Sequence, residues 1–239
     1  MITIGSLFSG IGALELGLEW AGLGPTLYQV EVNAYCRGVL ARHWPEAKRY
    51  EDVRDVGVET LAPVDLICGG FPCVDVSSAG KRTGLAGPQS GLWHEFARIV
   101  GECRPRWVVI ENVRSGASKW VDTVRRDLER LGYASLPVPL SASDVGAPHE
   151  RARVFVVGAT ADPDREQLRQ QSGRRQRSRG SLAAEPARHL GWATEPSIPR
   201  VADGPARRMD RERALGNSVV PQCSQVIGYV IRNLIGVSP

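Results

Sequence analysis

The stretch GGFPCVDVSSAG, residues 69–80, sets a lone cysteine after a proline, between a glycine pair and a run of small polar residues. A core cysteine sits among branched aliphatic residues, and a metal-bound one has a second Cys or His about two to four residues away. Cys73 has no second Cys or His at that spacing. Two states remain for it: a nucleophile activated by its surroundings, or an inert buried thiol. Pro72 stiffens the chain before it, and Gly69 and Gly70 leave room for a ligand to come close. In ENV, which follows the apolar run WVVI, Glu111 stands at the inner end of a buried strand. A carboxylate there is costly unless bonded, so Glu111 is either an acid of raised pKa or the partner of an arginine. Arg151 and Arg153 of HERAR alternate as the chain enters a strand, which puts both side chains on one face. Taken alone they read equally as solvated edge arginines.

FSGIG is a glycine-rich turn between a strand and a helix, and Glu31 ends the next strand, where an acidic side chain binds ribose hydroxyls. The third glycine of a dinucleotide fingerprint is missing, since ALE follows Gly12. A single-nucleoside cofactor such as S-adenosylmethionine therefore fits better than a dinucleotide, and a plain tight turn is the alternative. His43, His94 and His189 have no ligand-like spacing and read as surface or helix-packing residues. No metal site is expected.

The elements that must position these groups alternate along the chain. MITIGSLF, TLYQVEV, VDLICGG, PRWVVIENV and RVFVVGA read as strands. SGIGALELGLEWAG, Ala34 to His43, GLWHEFARIVGEC and VDTVRRDLERLGY read as helices. In the first helix Leu14, Leu18 and Ala21 form the apolar face. Alternation of this kind predicts an α/β fold with a doubly wound, mostly parallel sheet, whose ligands bind at the carboxyl ends of the strands. From Ala161 to Pro205 the periodicity stops, and order resumes with RALGNSVVPQCSQVIGYVIRNLIG.

The chain has 239 residues, 42% of them hydrophobic, enough for one such domain with a small appendage. It holds no run of about 18 apolar residues, so no segment is expected to span a membrane and no membrane partner is expected, and MITIGSLFSG lacks the features of a signal peptide. Cys36, Cys68, Cys73, Cys103 and Cys223 are an odd, scattered set, expected as reduced thiols in a cytoplasmic protein. Formal net charge is +4, yet residues 165–213 hold twelve Arg against six Asp and Glu. That segment suits a polyanion partner; a solvated arginine-rich loop is the bland alternative.

Five pieces in order, LFSGIG, GGFPC, ENV, GAPHERARVFVVG and ALGNSVVPQ, resemble the DNA (cytosine-5)-methyltransferases of bacterial and phage type. The resemblance covers residues 3–158 and 213–230. It implies a Rossmann-like class I S-adenosylmethionine-dependent methyltransferase, monomeric, acting on double-stranded DNA. It further implies a catalytic and cofactor-binding domain over 1–160, a reduced target recognition segment over 161–205 and a C-terminal return over 206–239. An RNA cytosine-5 methyltransferase and an inactive cofactor- or DNA-binding remnant are the alternatives.

By that resemblance Cys73 adds to cytosine carbon 6, Glu111 holds or protonates ring nitrogen 3, and carbon 5 then takes the methyl group. Arg153 helps hold base and acid, and Arg151 orients the substrate. Phe8, Gly10, Ile11, Gly12, Glu31, Asp52, Pro72, Leu92, Asn217 and Ser218 match the cofactor site. A stacked base cannot receive a thiolate, so the cytosine is flipped out, and SSAGKRTGLAGPQSG resembles the loop that closes over it, with Lys81 and Arg82 on phosphates. Arg174, Arg175, Arg177 and Arg179 are the further DNA contacts. The chain departs from the family pattern at Val74, where Gln is usual, and at His149, where Gln precedes the two arginines. It departs again in the shortness of the stretch between Gly158 and Asn217.

Overall fold

The computed structural model describes residues 2–72, 92–160 and 205–235, and the side chains of Lys119 and of residues 205–208 lie outside that description. Cys73, Lys81, Arg82, His189, the four recognition-segment arginines and nearly all of that segment also lie outside it. Seven strands form one sheet: β1 (Ile4–Leu7), β2 (Thr26–Val30), β3 (Lys48–Tyr50), β4 (Leu66–Gly69), β5 (Trp107–Val113), β6 (Ala134–Leu140) and β7 (Arg153–Ala159). Their spatial order is β3-β2-β1-β4-β5-β7-β6. The five strands from β3 to β5 run parallel, and β7 is antiparallel to both its neighbours. The helices are α1 (Ala13–Trp20), α2 (Ala34–His43), α3 (Leu92–Cys103), α4 (Ala117–Arg130), α5 (Pro205–Asn217) and α6 (Pro221–Leu234).

Every residue of β1 and β4 is buried, as expected of central strands covered on both faces. Strand alternation divides the core in two. Ile67, Val108 and Ile110 meet Trp93, Phe96 and Val124 of α3 and α4, whereas Ile4, Leu66, Trp107 and Val109 meet Leu14, Leu18, Ile227 and Ile231 of α1 and α6. Asn33 caps α2 by accepting from the Cys36 amide at 3.1 Å, and Pro221 sits at the start of α6, where its missing N–H costs nothing. The α1–α6 contact is close. A Cβ on Gly17 would fall 2.0 Å from the Pro221 carbonyl, and one on Gly228 would fall 2.4 Å from the Ala21 Cβ. That contact brings the chain after Asn217 back beside the β1–α1 turn.

Two strands were not expected from the sequence. β3 is only three residues long, and β6 contains Pro137 and Pro139. The prolines alternate on an edge strand, so both imides face away from β7 while the N–H groups of Leu136, Val138 and Leu140 remain to pair with it. Reversal of β7 has one consequence for chemistry: Arg153, its first residue, lies at the same sheet edge as the last residues of the parallel strands. No helix among the described residues is long and apolar enough to cross a membrane.

Candidate active site

The chain order reverses between β1 and β4, and a crevice opens there beyond the carboxyl ends of the parallel strands. It deepens into a cavity of about 550 Å³ walled by Phe8, Gly10, Ile11, Glu31, Asp52, Pro72, Leu92, Asn217 and Ser218, together with Glu111 and Arg153. Two sequence-derived residues lie off this wall. Gly12 has φ 86° and a Cβ there would meet Trp44 at 2.3 Å, so its glycine serves the turn and the α2 end. Arg151 is not part of the wall either.

The β1–α1 turn is built for close approach. Phe8 holds φ 55°, a left-handed conformation that costs a non-glycine residue about 1 kcal/mol. Stacking of its ring on Phe96, with centroids 6.4 Å apart, helps fix it. Glu31 is anchored by two backbone donors, the Gly10 amide on Oε2 and the Asn33 amide on Oε1, both at 2.8 Å. Bonds from Arg54 hold the Asp52 carboxyl down to about 2.

The glycine pair after β4 has a different cause from the expected one. A Cβ on Gly69 would fall 2.1 Å from the Leu7 carbonyl, and one on Gly70 would fall 2.8 Å from Glu111 Oε2. The close approach is therefore made by the protein's own strand and acid, although both glycines also line the cavity. Asn112 of β5 donates from Nδ2 to the Phe71 carbonyl at 3.0 Å. Phe71 packs on Trp93 and Trp120, with centroids 5.7 and 5.9 Å away. These contacts fix Phe71, the residue before Pro72. In the sequence Asn112 stands only as the middle residue of ENV, with no task of its own. An amide buried at a strand end next to a catalytic candidate was the available signal.

Glu111 is nearly buried, its side chain 12% exposed, and Arg153 Nε lies 2.7 Å from its Oε1. The contact is short but poorly aligned as a hydrogen bond, leaving Oε1 opposed by charge more than by a directed donor. Burial pushes the carboxyl from 4.5 up to about 7, against the downward pull of the Arg153 and Arg151 charges. Both expected states thus hold together: Glu111 is an acid of raised pKa and the partner of an arginine. Arg151 instead donates from Nη2 to the carbonyls of Gly216 and Ser218. It ties the end of α5, with Asn217 and the following Ser218, to the edge where Glu111 stands.

Cys36, Cys68, Cys103 and Cys223 are free thiols. Burial pushes the Cys36 thiol up to about 11 and that of Cys223 up to about 12, so neither is a ready nucleophile. His43 and His94 are exposed. Among the described residues no group of three or more His, Cys, Asp or Glu is arranged to hold a metal ion.

A sheet with this strand order, one reversed strand, and a nucleoside-sized cavity at the carboxyl ends of its parallel strands is the Rossmann-like architecture of class I methyltransferases. The model of the C-5 cytosine-specific DNA methylases matches residues 2–191, and the chain belongs to that family. It is 33% identical over 162 residues to the Type II methyltransferase M2.BsuMI of Bacillus subtilis (strain 168), covering 64% of this chain and 41% of that protein. Against the Type II methyltransferase M.HhaI of Haemophilus parahaemolyticus it is 32% identical over 155 residues, covering 63% and 47%. A solved prophage-encoded E. coli protein named as a DNA modification methyltransferase superposes with a TM-score of 0.56 at 28% identity, over 67% of this chain and 47% of that one. The chain thus spans less than half the length of these relatives.

Proposed function

We propose that the protein transfers a methyl group from S-adenosylmethionine to carbon 5 of cytosine in double-stranded DNA, through a covalent Cys73 adduct on a flipped-out base. The observation that carries this is the convergence of two sets of residues on one cavity. Pro72, Glu111 and Arg153 share their walls with Phe8, Glu31 and Asn217. The residues present fit the cofactor. A cavity of about 550 Å³ suits one nucleoside with an amino-acid tail, Glu31 would take the ribose, Asp52 would lie near the adenine, and Pro72 and Leu92 would flank the sulfur end. When bound, S-adenosylmethionine supplies an electrophilic methyl group on a sulfonium sulfur.

The chain's own groups do the rest. Cys73 Sγ adds to carbon 6 while Glu111, about half protonated near pH 7, gives its proton to ring nitrogen 3. Carbon 5 of the resulting enamine is then nucleophilic, and Arg153 keeps the Glu111 carboxylate in place once its proton has gone. The carbon 5 proton then passes to solvent as the thiolate departs, and the proton on ring nitrogen 3 returns to Glu111, so that ring, acid and thiol are all restored. Closure of residues 77–91 over the base would exclude water, with Lys81 and Arg82 on phosphates. Residues 1–160 form the catalytic unit, 161–205 a reduced recognition segment and 206–239 the return to the cofactor wall. Arg174, Arg175, Arg177 and Arg179 of the recognition segment add affinity for the phosphate backbone. The protein acts as a cytoplasmic monomer, a DNA modification enzyme of the restriction-modification type.

Incubation with S-adenosylmethionine carrying a labelled methyl group tests this. Label is expected in 5-methylcytosine of duplex DNA and not in tRNA. Label in tRNA alone would move the substrate to RNA, and label in neither would make the chain a binding remnant.

A further inference from the structure

One buried carboxyl in the cavity wall has no task in the reaction above. Glu15, in the first part of α1, has no solvent exposure, yet it forms part of the cavity wall together with Ser6 and Leu14. Its Oε1 accepts from Gln29 Nε2 at 3.3 Å. Its Oε2 and the Gln29 Oε1 have no hydrogen-bond partner among the described residues. Ser6 of β1, which also bonds Glu15, already receives Ser9 Oγ at 2.9 Å. Three elements therefore bring together a polar set in which acceptors outnumber donors.

The other acids of the cavity wall are all answered. Glu31 has two backbone N–H groups, Glu51 has Arg37, Asp52 has Arg54 and Glu111 has Arg153. Glu15 is met only by neutral donors, Gln29, Ser6 and its own backbone amide, with no cation beside it and Oε2 left without a partner among the described residues, and a buried acid in that state is completed by a positive group arriving from the cavity. We propose that Glu15 is the counter-charge for the cationic amino group on the amino-acid tail of the cofactor, an inference that rests on S-adenosylmethionine being that cofactor.

Proton balance follows from the geometry. Burial holds the Glu15 carboxyl up at about 7, so at pH 6 it is mostly protonated. An ammonium brought beside it favours the carboxylate, so one proton leaves to solvent for each ammonium bound. The groups facing Glu15 do not supply that proton. Ser6 and Gln29, from β1 and β2, do not titrate in this range. The Cys68 thiol of β4 is pushed far up by burial. Glu19, one turn along α1, already accepts from Trp44 and Thr26.

Titration calorimetry at pH 6, in two buffers of different ionisation heat, counts the released proton directly. S-adenosylhomocysteine is expected to release close to one proton per ligand from the wild type, and its desamino analogue, with hydrogen in place of the amino group, none. Glu15→Gln keeps the side-chain volume. It should release none with either ligand, lose about 10- to 100-fold in affinity for S-adenosylhomocysteine, and bind the desamino analogue as the wild type does. Equal affinity and equal proton release for the two ligands in the wild type would overturn the proposal, and that arm requires no variant to fold. Release that persists undiminished in Glu15→Gln would overturn it too. Failure of S-adenosylhomocysteine to bind the wild type at all would remove the cofactor assignment itself, and this inference with it.

Discussion

Replacing Glu111 by Gln should stabilise the protein above neutral pH while crippling it as a catalyst. The unfolded chain ionises this carboxyl near its ordinary value of 4.5, and the folded chain only near 7. A pKa raised on folding gives stability that is fully present below the unfolded value and lost as pH rises through the folded one. At about 1.36 kcal/mol per unit, the interval of roughly 2.5 units corresponds to about 3 kcal/mol lost between pH 4.5 and 7. The Arg153 contact at 2.7 Å is already included in that value, so the pair does not repay the burial of its acid. Gln has nothing to ionise and escapes the loss. Urea unfolding of both proteins at pH 4.5 and pH 8 separates this from other titrations, because the difference between the two cancels every group they share. Near-equal stability is expected at pH 4.5, with the variant ahead by up to about 3 kcal/mol at pH 8. Turnover should fall roughly 10²- to 10⁴-fold, the range for loss of a general acid. A variant less stable than wild type at pH 8 would mean that pairing with Arg153 outweighs burial, and the reasoning would fail.

Gly17→Ala should drive α6 from α1, because its Cβ would lie 2.0 Å from the Pro221 carbonyl; a loss of about 3 kcal/mol in thermal or urea unfolding is expected, and an unchanged midpoint would contradict the close packing. Arg151→Met frees the Gly216 and Ser218 carbonyls and should weaken S-adenosylhomocysteine binding about tenfold, whereas an unchanged Kd would show that the strut does not hold the cofactor wall. Changing Arg174, Arg175, Arg177 and Arg179 to Ala should weaken DNA binding equally on two unrelated duplexes and reduce the logarithmic salt slope by up to about 0.9 per lost phosphate contact. An unchanged slope would leave that run as a solvated loop, and loss on one duplex alone would make it a sequence reader.

The α/β alternation was legible because the central strands are continuous apolar runs and α3 has a clear apolar stripe; even α2 begins and ends where the sequence placed it. β6 was not, since two prolines contradict a strand unless their imides face an open edge, and edge position is a property of the assembled sheet. Motif order located Glu111, Glu31 and Asn217 at one cavity before any geometry was known. Sequence could not reveal Glu15, because an acid in a first helical turn looks like an ordinary favourable charge at the helix N-terminus. Only the packing of α1 between sheet and α6 makes it buried. The partners of Arg151 were hidden for a similar reason: they are carbonyls more than sixty residues away along the chain.

Duplex DNA carrying 5-fluorocytosine tests the central claim most directly, because fluorine at carbon 5 cannot leave as the proton does and the thiol adduct persists. With S-adenosylmethionine present, wild type is expected to form a covalent protein–DNA complex stable to denaturation, whose cross-linked peptide contains Cys73. Cys73→Ala should form none and should lose methylation while binding S-adenosylhomocysteine as wild type does. An adduct formed through another residue, or methylation retained by Cys73→Ala, would contradict the account.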